Sequence, residues 1–135
     1  YIFDIDKFLS FEGKTGTYIL YTITRINSIL KKVGTDYNAE VNLTNIYTDT
    51  ERELLLKIMG TGDLFRTALS EKAPNYICEN AYQIATVFSR FYHDSRVIDE
   101  QDANKKNDWI ALITLTRRIL IKHLDVLGIE TVENM

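Results

Sequence analysis

Residues 18–33 read YILYTITRINSILKKV, and Gly34 follows. Ile19, Ile23, Ile26, Leu30 and Val33 recur at intervals of four, three, four and three, and Ile29 widens the row. That spacing predicts a helix with one apolar stripe, because side chains three and four apart share a face. Gly34 stands where a left-handed cap ends a helix, since a residue without Cβ meets no steric penalty there.

Working outward, the low proline content (only Pro74) favours further helices. Glycines at 13, 16, 34, 60, 62 and 128 mark the expected joints. Residues 34–49 are polar without helical period and read as a loop, although Val41, Leu43 and Ile46 leave room for a brief extended stretch. Thr50 and Glu53 have capping-box spacing ahead of Leu54, Leu55, Ile58 and Met59, which predicts a short helix ending at Gly60. Asp63 is placed to cap a second short helix carrying Leu64, Phe65, Ala68 and Leu69. Pro74 suits the first turn of a third, in which Ile77, Ala81, Ile84, Ala85, Phe88 and Tyr92 share a face. After a polar loop over 94–107, Asn107 or Asp108 is the expected cap of a long helix with Trp109, Leu112, Ile113, Thr116, Ile119, Leu120 and Leu127 inside. Gly128 would end it, with Ile129 closing the cap. About five helices on short or medium connections make an all-α helical bundle, and residues 1–135 suit a single domain.

Hydrophobic residues at 45% and charged residues at 26% are ordinary for a globular chain. The lone Cys78 cannot form an internal disulfide, which fits a reducing compartment. No apolar run approaches the roughly 18 residues of a membrane span, and the first residues do not read as a signal peptide, so the expectation is a cytoplasmic protein without a membrane partner. The net charge of −3 runs against phosphate binding, but it is unevenly spread. Residues 7–33 hold Lys7, Lys14, Arg25, Lys31 and Lys32 against Glu12, whereas 36–53 hold Asp36, Glu40, Asp49, Glu51 and Glu53 against Arg52.

No catalytic or metal pattern emerges. His123 and Asp125 are two apart on a helix and point in different directions, and His93 falls at a helix end. Cys78 sits in an apolar helix as a small core residue would. The GKTG run at 13–16 lacks the spacing that wraps a phosphate. The aromatics say more. Tyr18 and Tyr21 are three apart and Arg25 lies four beyond, so two rings and a guanidinium share a side of the first helix. That set suits unstacked bases and a phosphate, and equally suits tyrosines packed with their hydroxyls at the rim of a core.

The stretch 10–21, SFEGKTGTYILY, followed by Arg25 and Ile26, resembles the SFEGNTGPYLQYAHARI pattern of arginyl-tRNA synthetases. Phe91-Tyr92-His93 with Val97 is similar to that family's FYHxxxV, and 124–135, LDVLGIETVENM, to its ending LxLLGIxxPExM. The order spans essentially the whole chain. Lys14 replaces Asn or Asp, Thr17 and Val132 replace prolines, Leu20 replaces Gln and Thr22 replaces Ala. The DALR tetrapeptide and the HIGH and KMSKS motifs are missing. The resemblance implies a C-terminal anticodon-binding domain, holding no catalytic residue, cofactor or metal of its own, that grips the anticodon stem and loop of tRNA-Arg rather than DNA. A catalytic domain upstream in the same chain would attach arginine using ATP with Mg. Residues matching Tyr18, Tyr21, Arg25, Tyr92, Arg96 and Met135 would face the anticodon, with Lys14 positioned to meet phosphate. The rival from another class is a helical protein–protein interaction module. Salt separates the two, because phosphate binding weakens as salt rises. The chain is expected to fold without activating arginine; arginine-dependent pyrophosphate exchange with ATP should stay at background.

Overall fold

A computed structural model describes residues 14–127. They form five helices: α1 (Lys14–Val33), α2 (Asp49–Met59), α3 (Thr61–Ser70), α4 (Pro74–Asp94) and α5 (Ala103–Val126). Helix α4 is the hub and packs against each of the other four, while α1 is also held by α5. The predicted stripe is the seam: Ile19, Ile23, Ile26, Ile29 and Leu30 are buried against Ile77, Ala81, Ile84, Phe88 and Phe91 of α4 and Leu112, Ile113, Leu120 and Leu124 of α5 in one core.

Helix α1 begins four residues before Tyr18, so Gly16 lies inside its first turns and is not a joint. Its far end is as expected. Gly34 has φ +74°, Thr35 N–H donates to Leu30 O at 3.0 Å and Gly34 N–H to Lys31 O at 3.2 Å. These bonds satisfy two carbonyls that the helix end would otherwise orphan.

Three caps differ from expectation. Thr48, not Thr50, starts α2: its hydroxyl accepts from Glu51 N–H at 3.3 Å and donates to the Glu51 carboxylate at 2.6 Å. The other Glu51 oxygen accepts from Tyr47 N–H at 3.3 Å. The spacing of three recurs at 48/51 and 50/53, and the pair that buries its carboxylate prevails. Asp63 is the third residue of α3, which starts from Gly60 without a side-chain cap, and pairs with Arg66 in solvent. Asp102, rather than Asn107 or Asp108, caps α5, accepting from Asn104 N–H at 3.0 Å and Lys105 N–H at 3.2 Å. Pro74 does open α4. Gly128 and Ile129 lie outside the described residues.

Asp108 has another task. Buried in α5, it accepts from Thr44 N–H and the Thr44 hydroxyl, both at 2.9 Å, and from the Tyr47 hydroxyl at 2.6 Å. Burial alone would push its carboxyl up, but the bonds from Tyr47 and Thr44 outweigh it and hold the carboxyl below its ordinary value. The same bond raises the Tyr47 phenol to about 12. Arg118 donates to Tyr37 O at 3.1 Å and to Ala39 O. The segment 35–48 has no regular structure and is fastened to α5 at both ends. Asp108→Ala should cost roughly 1–3 kcal/mol, because it leaves Thr44 N–H without its acceptor. Denaturant melts of the two proteins measure the difference.

Candidate nucleic-acid interface

Helix α1 contains Lys14, Arg25, Lys31 and Lys32 and no Asp or Glu. With its apolar stripe spent on the core, its polar side borders α4. Tyr92 of α4 is half-buried, and the Arg25 guanidinium lies over its ring, 5.2 Å from the centroid. Tyr92 also lies nearly parallel to buried Phe88, at 6.0 Å and 11°. The Tyr92 ring is therefore in contact with a guanidinium from α1 and with an aromatic ring of the core. A guanidinium over an aromatic face keeps its donors free at the edge, so it can hold a phosphate or a base while the ring holds it. Burial raises the Tyr92 phenol, with Arg25 pulling the other way.

Tyr18 is half-buried, and its hydroxyl shares a 2.7 Å hydrogen bond with that of Ser89. Its polar end is thus engaged inside the protein, while its ring remains partly exposed. Tyr21, one turn before Arg25, is 61% exposed and offers an open ring. Tyr18, Arg25 and Tyr92 thus converge on the α1–α4 groove, with Tyr21 along the same helix. Arg96 is exposed just past the end of α4, and no hydrogen bond or ring contact joins it to the others among the described residues. The side chain of Lys14 and all of Met135 lie outside the described residues.

Ser89 and Tyr82, whose ring lies 5.6 Å from that of Tyr18, complete the groove and were missed from sequence. Their separation of seven residues, two helical turns, put them on one face of α4, and that was the available signal.

The histidines and cysteine behave structurally. His93 is exposed beside Asp94, 3.2 Å away, and Cys78 is buried. His123 is buried, its Nδ1–H donating to Ile119 O at 2.7 Å and its Nε2 accepting from the Asn80 amide at 2.8 Å. Among the described residues no group of three His, Cys, Asp or Glu gathers as a metal site would need, and no helix is long and apolar enough to cross a membrane.

The fold is a bundle in which one acid-free helix and the hub helix enclose an aromatic groove. The family model of the DALR anticodon binding domain matches residues 19–135, and the chain belongs to that family. An arginine–tRNA ligase of Alkaliphilus oremlandii is 45% identical over 136 residues, which covers all of this chain and 23% of the relative. One from Agathobacter rectalis is 40% identical over 139 residues with the same coverage. The solved arginyl-tRNA synthetase of Thermus thermophilus superposes with a TM-score of 0.74 at 27% identity, covering 94% of this chain and 22% of that one. The chain therefore spans under a quarter of the length of these relatives.

Burial lowers the pKa of His123, with the bond to Ile119 partly opposing it. The unfolded chain then takes up the proton first as pH falls below about 6.5, and stability is lost through that window. Melting temperatures of the native chain should fall more steeply between about pH 7.5 and about pH 5 than those of His123→Gln. Parallel pH profiles measured by circular dichroism check this.

Proposed function

We propose that this chain binds the anticodon stem and loop of tRNA-Arg, as the anticodon-binding part of an arginine–tRNA ligase. The observation that carries the reading is the Arg25 guanidinium, on a helix without an acidic residue, held over the Tyr92 ring beside Phe88 in a member of the DALR family. Loop bases splay out of the RNA and need flat faces to stack on, while the intervening phosphates need cations. Tyr21 supplies an exposed ring, Tyr92 a ring braced from below, and Arg25 the cation between them. Arg96, just past the end of α4, and Lys14, at the start of α1, are included as contacts on the family pattern. Met135 is retained as a contact on the family pattern alone. A thioether covers a base face without demanding one geometry.

Arginine activation with ATP and Mg belongs, on this reading, to a separate catalytic domain of the same ligase in the cytoplasm. The bundle supplies affinity and identity. Tyr21 and Arg25 stand away from the buried stripe, so truncating them should spare the fold. Tyr21→Ala and Arg25→Ala should each weaken binding of the tRNA-Arg stem-loop by roughly 1–3 kcal/mol. Their melting temperatures should change little. Native binding should weaken with salt, and Arg25→Ala should flatten that slope. Titrations at several salt concentrations, run beside thermal melts, decide the matter. Variants that melt far lower yet bind normally when folded would reject the reading.

A further inference from the structure

The aromatic lining continues beyond Tyr92. Ten residues earlier on α4, Tyr82 is 37% exposed, and its ring meets that of Tyr18 at 5.6 Å and an interplanar angle of 59°. At about 1.5 Å per residue, Tyr82 and Tyr92 stand roughly 15 Å apart along the helix, too far for one base to touch both. The bond between the Tyr18 hydroxyl and that of Ser89 favours this position of the Tyr18 ring. The two tilted rings therefore make a corner in which the Tyr18 hydroxyl is already bonded.

The nearby acids are engaged elsewhere. Glu79, three residues before Tyr82, accepts from the Gln83 amide at 3.0 Å, and Lys57 of α2 donates to that same Gln83 at 3.1 Å. Glu53 accepts from Arg90 at 3.0 Å. Across the groove, α1 presents no acid at all.

We infer that Tyr82 and Tyr18 form a second stacking site for an unpaired RNA base, distinct from the one at Tyr92 and Arg25; this rests on the reading of the groove as an anticodon-loop interface. The rings offer no free hydrogen-bonding edge at Tyr18, and stacking tolerates any base. The corner therefore adds affinity and spreads the loop chiefly through its ring faces.

The test uses stem-loop RNAs carrying 2-aminopurine at one loop position at a time, titrated into the native chain and into Tyr82→Ala, Tyr82→Leu, Tyr82→Phe, Tyr82→Trp and Arg25→Ala. Stacking loss at Tyr82→Ala and Tyr82→Leu should weaken binding roughly tenfold, while Phe and Trp stay within roughly twofold of native. The Ala and Leu variants should restore emission at one loop position and Arg25→Ala at a different one. Leucine keeps an apolar brace against Tyr18, so native-like binding by Tyr82→Leu would reduce Tyr82 to a support and overturn the inference, whether or not Tyr82→Ala folds. Normal binding by both Ala and Leu variants, with Arg25→Ala still weakened, would sink this inference alone. A native chain that showed no salt-sensitive binding would remove the underlying reading and this site with it.

Discussion

Helix α1 is buried along one face by α4 and α5, and that single packing constraint governs most of what the molecule presents to solvent. Five isoleucines and leucines of its stripe lie at or below 5% exposure, so the helix has no freedom to roll. Once it cannot roll, Tyr18 and Arg25 are held against α4, and Tyr21 is left open to solvent. Removing about one buried methylene costs on the order of 1 kcal/mol; rotating α1 by even part of a turn would expose several whole side chains. The orientation of the groove residues is thus enforced by groups that never touch a ligand.

A second layer of constraint comes from α5. Arg117 is buried with its guanidinium 4.0 Å from the centroid of the Tyr37 ring, and its Nε–H donates to the Asn27 side chain of α1 at 2.5 Å. The Tyr37 hydroxyl donates to Asn27 O at 3.2 Å. Together with Arg118 and Asp108, these contacts tie the irregular segment 35–48 to α1 and α5. Here an irregular connection is built in with buried polar bonds, each costly to break because its partner would be left unsatisfied.

The helices were legible from sequence because their apolar residues repeat at the helical period and nothing else in the chain competes with that signal. Their starts were not. Thr48 and Thr50 both precede a glutamate by three, and Asp102, Asn107 and Asp108 are all plausible caps on local chemistry. The choice among them is tertiary: Glu51 is buried when Thr48 is the cap, and Asp108 is needed by Thr44 and Tyr47 on a distant segment. The groove was legible by half. Tyr18, Tyr21 and Arg25 share a helix, so spacing alone aligned them. Tyr82 and Ser89 belong to the groove only because of how α4 lies beside α1, which no one-dimensional pattern carries. The partner of the Tyr18 hydroxyl likewise comes from 71 positions away.

The absence of any acid from α1, which carries Lys14, Arg25, Lys31 and Lys32 within a chain of net charge −3, bears on how such a protein would discriminate in a crowded cell. A uniformly basic domain captures any polyanion at long range and then has to sort its catch. Here the net charge of the chain is negative, while α1 presents cations with no acid among them, and their field reaches about 10 Å, the screening distance at ordinary ionic strength. On the proposed reading, an RNA loop is favoured where it meets that strip. Selectivity of that kind is kinetic. It is set by where the acids are missing as much as by where the rings are.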